Sequence, residues 1–242
     1  MSAPRHGERP RTRRPGAGRP RARPRPGDGP VDAEILGAAA RLLAKHGVSA
    51  TTMAQIAEAA GLGVSSLYYY FRNKHEIVER IVVDANRAPL DLAAAARARH
   101  PDAARQLHAF VRADVAALCH VPFDINEIHR LASDDAESFA RYWADRERLV
   151  QEITAIVNYG ITSGDFVAVA PALAAVTILA NDEAVQNWYR PRPAGAPRPA
   201  DVDGLGPDQI GLFVADQALR GLLRDIDALG VIRADTATVE PA

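Results

Sequence analysis

Apolar positions from Val31 onward recur with a helical period. Ile35, Leu36, Ala39, Leu42 and Leu43 fall at i, i+1, i+4, i+7 and i+8, which is one face of a helix. Gly47 stands where a left-handed C-cap would close it. Thr52, followed three residues later by Gln55, forms a capping box that opens a second short helix through Ala60, and Gly61 and Gly63 break that helix. A third helix covers Val64 to Phe71. Asn73 with Glu76 forms another capping box, starting a fourth helix that runs to about Ala88, before Pro89.

The pattern continues with longer elements. Pro101 can start a helix reaching Cys119, and Pro122 separates it from a short helix near residues 124–133. A long helix is expected from Glu137 to Ser163, ending at Gly164, and another from Pro171 to Tyr189. Residues 191–207 hold five prolines and three glycines and read as a long loop. A final helix is expected over about residues 208–229, closing at Gly230. No strand pattern and no internal repeat interrupts this series, so the fold class is all-α. The organisation is a tail over residues 1–30, a small helical unit over 31–80 and a larger one over 81–242.

Composition sharpens the picture at three points. Aromatic residues are 6% of the 242, and alanine is abundant, which favours helix over sheet. Cys119 is the single cysteine, so neither an intramolecular disulfide nor a four-thiolate zinc site can form. The net charge of −1 conceals an asymmetry: residues 1–30 carry nine arginines against Glu8 and Asp28, a net of +7, which leaves −8 for the rest. A basic, proline-rich tail with almost no aliphatic residues is expected to be disordered and to seek a polyanion. It lacks the apolar run of a secretory signal, and the longest apolar stretch, Phe166 to Ala180, is too short to span a membrane. The expected location is cytoplasmic, on the nucleoid.

Two short helices joined by a glycine-containing turn have the form of a helix-turn-helix, whose second helix lies in the major groove of duplex DNA. Ile56, Ala57, Leu62, Leu67 and Phe71 would hold the pair together. Val64, Ser65, Ser66, Tyr68, Tyr69 and Tyr70 are then left to face outward, because three consecutive tyrosines cannot share one buried face. Phenols can donate to phosphates, Ser66 is small enough to approach a base edge, and Val64 can meet a thymine methyl.

The stretch from Thr52-Met53-Ala54-Gln55-Ile56-Ala57 through Gly61, Ser66-Leu67-Tyr68-Tyr69-Tyr70-Phe71 and Lys74 resembles the DNA-binding signature of the tetracycline-repressor (TetR) family. The resemblance covers roughly residues 32–80. It implies a homodimer of helical subunits, a palindromic double-stranded operator, and release by a small-molecule effector bound in the C-terminal unit. By position, Thr52, Tyr68 and Lys74 would hold phosphates, and Val64, Ser66 and Tyr70 would sit near bases. The family often has a polar residue at Val64, a serine cap at Gly63, and histidine or tyrosine at Tyr70. Residues 31–80 carry five basic and five acidic side chains, so the tail, with Gly18-Arg19-Pro20 as a segment suited to a narrow minor groove, is expected to add the missing affinity.

The last expected helix is apolar on several faces, which points to packing on its own unit and on a second subunit, with Phe213 and Leu222 at the interface. Candidate lining for an effector pocket is Phe110, Cys119, Phe123, His129, Phe139, Tyr142 and Trp143. The segment from Asn187 to Pro191, with Ala218 to Leu222, resembles regulators that respond to acyl-CoA or other lipid-like molecules. No phosphate loop, nucleophile elbow, catalytic constellation or metal-ligand spacing stands out, so no enzyme activity, cofactor or metal is expected. The competing reading is an architectural DNA-binding protein that uses the tail and has no effector.

Overall fold

The computed structural model describes residues 29–189, 202 and 204–237; the basic tail, with Arg19, and most of the proline-rich stretch near residue 195 lie outside them. The elements are α1 (Pro30–His46), α2 (Met53–Ala59), α3 (Val64–Tyr70), α4 (Lys74–Arg99), α5 (Ala103–His120), α6 (Ile125–Asp134), α7 (Ala140–Ser163), α8 (Pro171–Ala184), α9 (Gln186–Tyr189), α10 (Pro207–Arg220) and α11 (Leu229–Thr236). Among the described residues the only extended pairing is one antiparallel bridge between Phe166 and Leu223. The chain is all-α.

Three cores organise these helices. The smallest gathers Ile35, Ala39, Ile56, Ala57, Leu67, Phe71 and Ile77 from α1 to the start of α4. A second joins Leu43, Val48, Val78 and Val82 to Phe123, Ile128, Phe139 and Tyr142 of the later helices. The largest contains Leu107, Phe110, Ile153, Val157, Leu179 and Ala215 from α5, α7, α8 and α10. A helix contributing to several cores must be apolar on more than one side, and α4 reaches all three: Ile77 faces the first, Val78 and Val82 the second, and Ala93 the last.

Several boundaries differ from those expected. The α4 helix does not stop before Pro89 but passes through it to Arg99. Proline removes one helical N–H, yet Ala93 and Ala96 beyond it are buried in the main core, and that packing sustains the helix. The last helix divides. After Arg220 the amides of Leu222 and Leu223 both turn back to the Leu219 carbonyl, Val167 N–H donates to Leu222 O (2.8 Å), and Arg224 N–H donates to Asp165 O (2.9 Å). The strap so formed ends α10, and α11 begins separately at Leu229 with Gly230 inside it. The α8 helix stops at Ala184, short of Tyr189. There the buried Gln186 side chain accepts from Ile125 N–H (2.9 Å) and donates to Leu118 O (3.0 Å), satisfying backbone groups stranded around Pro122. Gly47 does have positive φ (81°), but its ψ of 170° is extended rather than left-handed helical.

Candidate nucleic-acid interface and effector chamber

The reading unit is built by local hydrogen bonds. Thr52 Oγ1 accepts from Gln55 N–H (3.3 Å) while Gln55 Oε1 accepts from Thr52 N–H (2.8 Å), so the box that starts α2 closes in both directions. Gly61 takes φ 68°, a conformation that glycine enters without strain, and so redirects the chain into α3. Leu67 is buried and pins α3 to the small core. The helical period then sends Val64 (43% exposed), Tyr68 (52%) and Tyr69 (44%) to solvent, with Ser65 exposed and Ser66 and Tyr70 partly so. Tyr69 and Tyr70 meet edge to face, with centroids 5.2 Å apart. Val64, Ser65, Tyr68 and Tyr69 therefore form the exposed part of a helix two turns long, with Ser66 and Tyr70 at its margins.

Lys74 sits differently. Its ammonium donates to the carbonyls of Val48 (2.8 Å) and Thr51 (3.0 Å), clamping the α1–α2 turn to the start of α4. Asn73 caps α4 through Glu76 N–H (2.8 Å), and the Glu76 carboxylate accepts from Arg72 N–H (2.7 Å) instead of from Asn73, one residue off the expected box.

Two further contacts tie this unit to the body. The Glu127 carboxylate of α6 accepts from Val48 N–H (2.9 Å), and it occupies the space that a Cβ at Gly47 would crowd. His75 Nδ1 lies 2.7 Å from Asp135 Oδ2 at the end of α6, an interaction that holds the Asp135 carboxyl below its usual range. Both partners are distant in sequence, which is why periodicity did not reveal them.

The expected pocket residues scatter. Phe123 lines a narrow cavity of about 40 Å³ between α4, α5, α7 and α8. Phe110 is sealed in the main core. Phe139, Tyr142 and Trp143 pack with His129 as an aromatic cluster, and Trp143 Nε1–H donates to Ala132 O (3.0 Å). Cys119 is half-buried, and burial pushes its thiol up to about 11, so it is protonated and inert.

Sequence reasoning passed over the charged residues of the same region. Asp114 of α5 (4% exposed), Asp182 (0%) and Glu183 of α8, and Arg146 of α7 lie together inside the body. Two acids at the end of the otherwise apolar α8 were the available signal. Of the expected interface pair, Phe213 is 62% exposed, whereas Leu222 is buried at 5% within its own subunit.

A short, sealed helix-turn-helix that displays hydroxyls and rings, carried on a larger helical body, defines the chain as a DNA-binding transcription regulator. Residues 35–81 match the bacterial regulatory proteins of the tetR family, and residues 100–222 match the tetracyclin repressor-like C-terminal domain. The chain belongs to the TetR family. Among curated relatives, the regulator TtgR of Pseudomonas putida is 44% identical over 50 residues, 21% of this chain and 24% of that protein. The repressor KstR2 of Mycolicibacterium smegmatis is 41% identical over 51 residues, 21% of this chain and 25% of that one. The chain thus spans about a quarter of the length of the curated relatives it matches. Two solved structures share the fold. The ketosteroid regulator KstR2 of Mycobacterium tuberculosis superposes with a TM-score of 0.64 at 24% identity, covering 84% of this chain and 100% of that one. AibR in complex with isovaleryl coenzyme A and operator DNA gives 0.60 at 20% identity, covering 78% and 96%.

Proposed function

We propose that this protein is an effector-responsive repressor that binds a palindromic operator as a homodimer and leaves it when a small molecule enters the helical body. One observation carries the reading: α3 is fixed by a single buried leucine and turns Val64, Tyr68 and Tyr69 to solvent, an arrangement with no role in the fold itself. In this reading Thr52 and Tyr68 contact phosphates, Val64, Ser66 and Tyr70 approach bases, and Ser65 and Tyr69 complete the face. Lys74 supports the unit from behind, since two of its donors are already engaged. The reading unit comprises residues 31–80, and α4 carries its position into the body. Arg19 and the rest of the basic tail add phosphate contacts, and the protein works in the cytoplasm, on the nucleoid.

The isovaleryl coenzyme A in the AibR structure speaks for an acyl-CoA or lipid-like effector. The buried acids Asp114, Asp182 and Glu183 speak against an anionic one, and they carry more weight because they belong to this chain.

The test is fluorescence anisotropy with DNA from upstream of the protein's own gene. Tyr68→Ala should weaken all sequences alike, whereas Ser66→Ala should reorder preference among operator variants, with each good base contact worth about 1–3 kcal/mol. Binding that tolerates every sequence and ignores metabolites would favour the architectural reading. No binding at any salt would overturn both.

A further inference from the structure

Three helices bring charged side chains into the interior of the body, with acid in excess. Asp114 comes from α5, Asp182 and Glu183 from α8, and Arg146 from α7. Arg146 forks onto both oxygens of Glu183, with NH2 to Oε2 at 3.0 Å, so one carboxylate is matched. His129 of α6 supplies no second cation, because burial pushes its pKa down to about 4. Asp114 and Asp182 therefore remain without a fixed counter-charge.

Asp182 is the more unusual of the two. It is fully buried, and neither of its oxygens has a hydrogen-bond partner. Tyr142, also buried, leaves its hydroxyl unpartnered beside Arg146 and Glu183. Buried polar groups are satisfied in the great majority of cases, and an orphan costs about 1–3 kcal/mol. Several orphans around one acid pair describe a site built for something that brings donors and positive charge.

The adjoining space fits that description. The cavity of about 40 Å³ has Asp114, Arg146 and Glu183 on its polar side and Leu118, Phe123 and Leu149 on its apolar side. It holds one or two water-sized groups, enough for an ammonium head, and a carbon body can enter only by spreading its apolar side. Water there would supply hydrogen bonds but no charge. Among the described residues no group of three or more His, Cys, Asp or Glu side chains could hold a metal ion.

We propose that this chamber binds the cationic head of a small organic amine, its charge set against Asp114 at the cavity wall, with Asp182 near Asp114 but off the cavity, and its carbon body against Leu118, Phe123 and Leu149. The proposal rests on the reading of the body as an effector-sensing unit and names the chemistry of that effector. Burial pushes the Asp114 carboxyl up to about 7 and Asp182 well above the usual carboxylate range, so the pair holds protons when no guest is bound, and a cation is the guest that favours its charged form. Asn86 and Pro89 of α4 line the same cavity. A guest that spreads it pushes on α4 where proline has already removed a helical hydrogen bond, and α4 begins at the clamp that supports the reading unit.

The experiment uses the full chain and four probes: benzylamine, benzyl alcohol, benzoate and isovaleryl-CoA, each followed by calorimetry and by thermal shift. Benzylamine should bind and raise Tm, and the alcohol, the carboxylate and the thioester should not. Asp114→Asn should weaken benzylamine by about tenfold or more, the scale of a lost charge-assisted contact, and Asp182→Asn should weaken it by less, because Asp182 does not line the cavity. Both variants should melt no lower than the parent, because an amide keeps the shape of the buried carboxyl and carries no charge to desolvate. Should Asp182→Asn fail to fold, Asp114→Asn at the cavity wall still decides. Benzylamine that gives no signal at millimolar concentration, that binds both variants as tightly as the parent, or that binds no better than benzoate or isovaleryl-CoA would overturn the assignment. Operator binding, measured in parallel without ligand, separates the two readings: if it persists, only the amine assignment has failed, and if it is absent, the repressor reading has.

Discussion

The Lys74 ammonium reaches back across the reading unit to two backbone carbonyls, those of Val48 and Thr51, in the turn between α1 and α2. Thr51 is buried, its hydroxyl donates to Gly47 O (2.7 Å) and its N–H to Val48 O (3.3 Å), so this turn is held from within by two hydrogen bonds and from outside by a charge. Lys74→Ala removes the charge and leaves its acceptors short of donors. Hydrogen bonds to charged groups contribute about 1.5–3 kcal/mol, and the half-exposed setting here places the expected loss near the lower end. Urea denaturation should show that loss as a lower midpoint, and operator affinity should fall for all sequences alike. An unchanged midpoint with reduced operator affinity would instead return Lys74 to the phosphate backbone. Residues whose partners are three positions away, such as Thr52 with Gln55 or Asn73 with Glu76, were legible in the sequence because helix geometry fixes those distances. The partners of Lys74 lie 23 and 26 positions away, and those of Glu127 nearly eighty, so only the fold discloses them.

At the scale of elements, close packing decides which glycines matter. Gly211 on α10 faces the backbone of α5 so closely that a Cβ would collide with the Arg112 carbonyl oxygen. Backbone cannot swing aside as a side chain can, so Gly211→Ala must push α10 off α5. Overpacking of this kind costs about 1–3 kcal/mol. Gly230 in α11 is the opposite case: its φ is not positive and nothing lies within 4 Å of an added Cβ. Gly230→Ala should therefore stabilise by about 0.5–1 kcal/mol, the ordinary helix preference of alanine over glycine. Paired melting curves test both, and equal shifts of the same sign would contradict this account. The existence and order of the helices were readable from the period of apolar residues. Their ends at Pro89 and Gly230 were not, because proline and glycine break a helix only when tertiary packing does not sustain it. Ala93 and Ala96 sustain α4, and Leu229 and Ile232 anchor α11.

At the scale of the whole molecule, α8 and α10, both within the matched C-terminal domain, leave apolar surface uncovered. Leu173 (69% exposed) and Val176 (50%) stand out from α8, and Phe213 (62%) from α10. Between these helices lies an open groove of about 420 Å³, bordered by Leu173, Ala174, Ile178, Gln217 and Leu222. A contiguous apolar patch of this kind marks an interaction surface, and a second copy of the chain is the occupant that the proposed palindromic operator would require, since two reading helices would have to be held roughly 34–36 Å apart, one turn of DNA. The all-round hydrophobicity of α10 was visible in the sequence, but which face meets the partner was not: Leu222 and Phe213 read alike until the fold buries one within its own subunit and leaves the other outside. That difference gives the prediction. Phe213→Glu should yield a monomer with unchanged helix content by circular dichroism, because the side chain contributes little to its own core, and operator affinity should drop as two half-sites lose their common frame. Leu222→Glu places a charge where the side chain is 5% exposed and should unfold the body instead, lowering Tm before any change in assembly can be read. Light scattering on the two variants and the parent distinguishes these outcomes. A parent that is monomeric, or a Phe213→Glu variant that remains dimeric and binds operator normally, would move the interface away from α8 and α10.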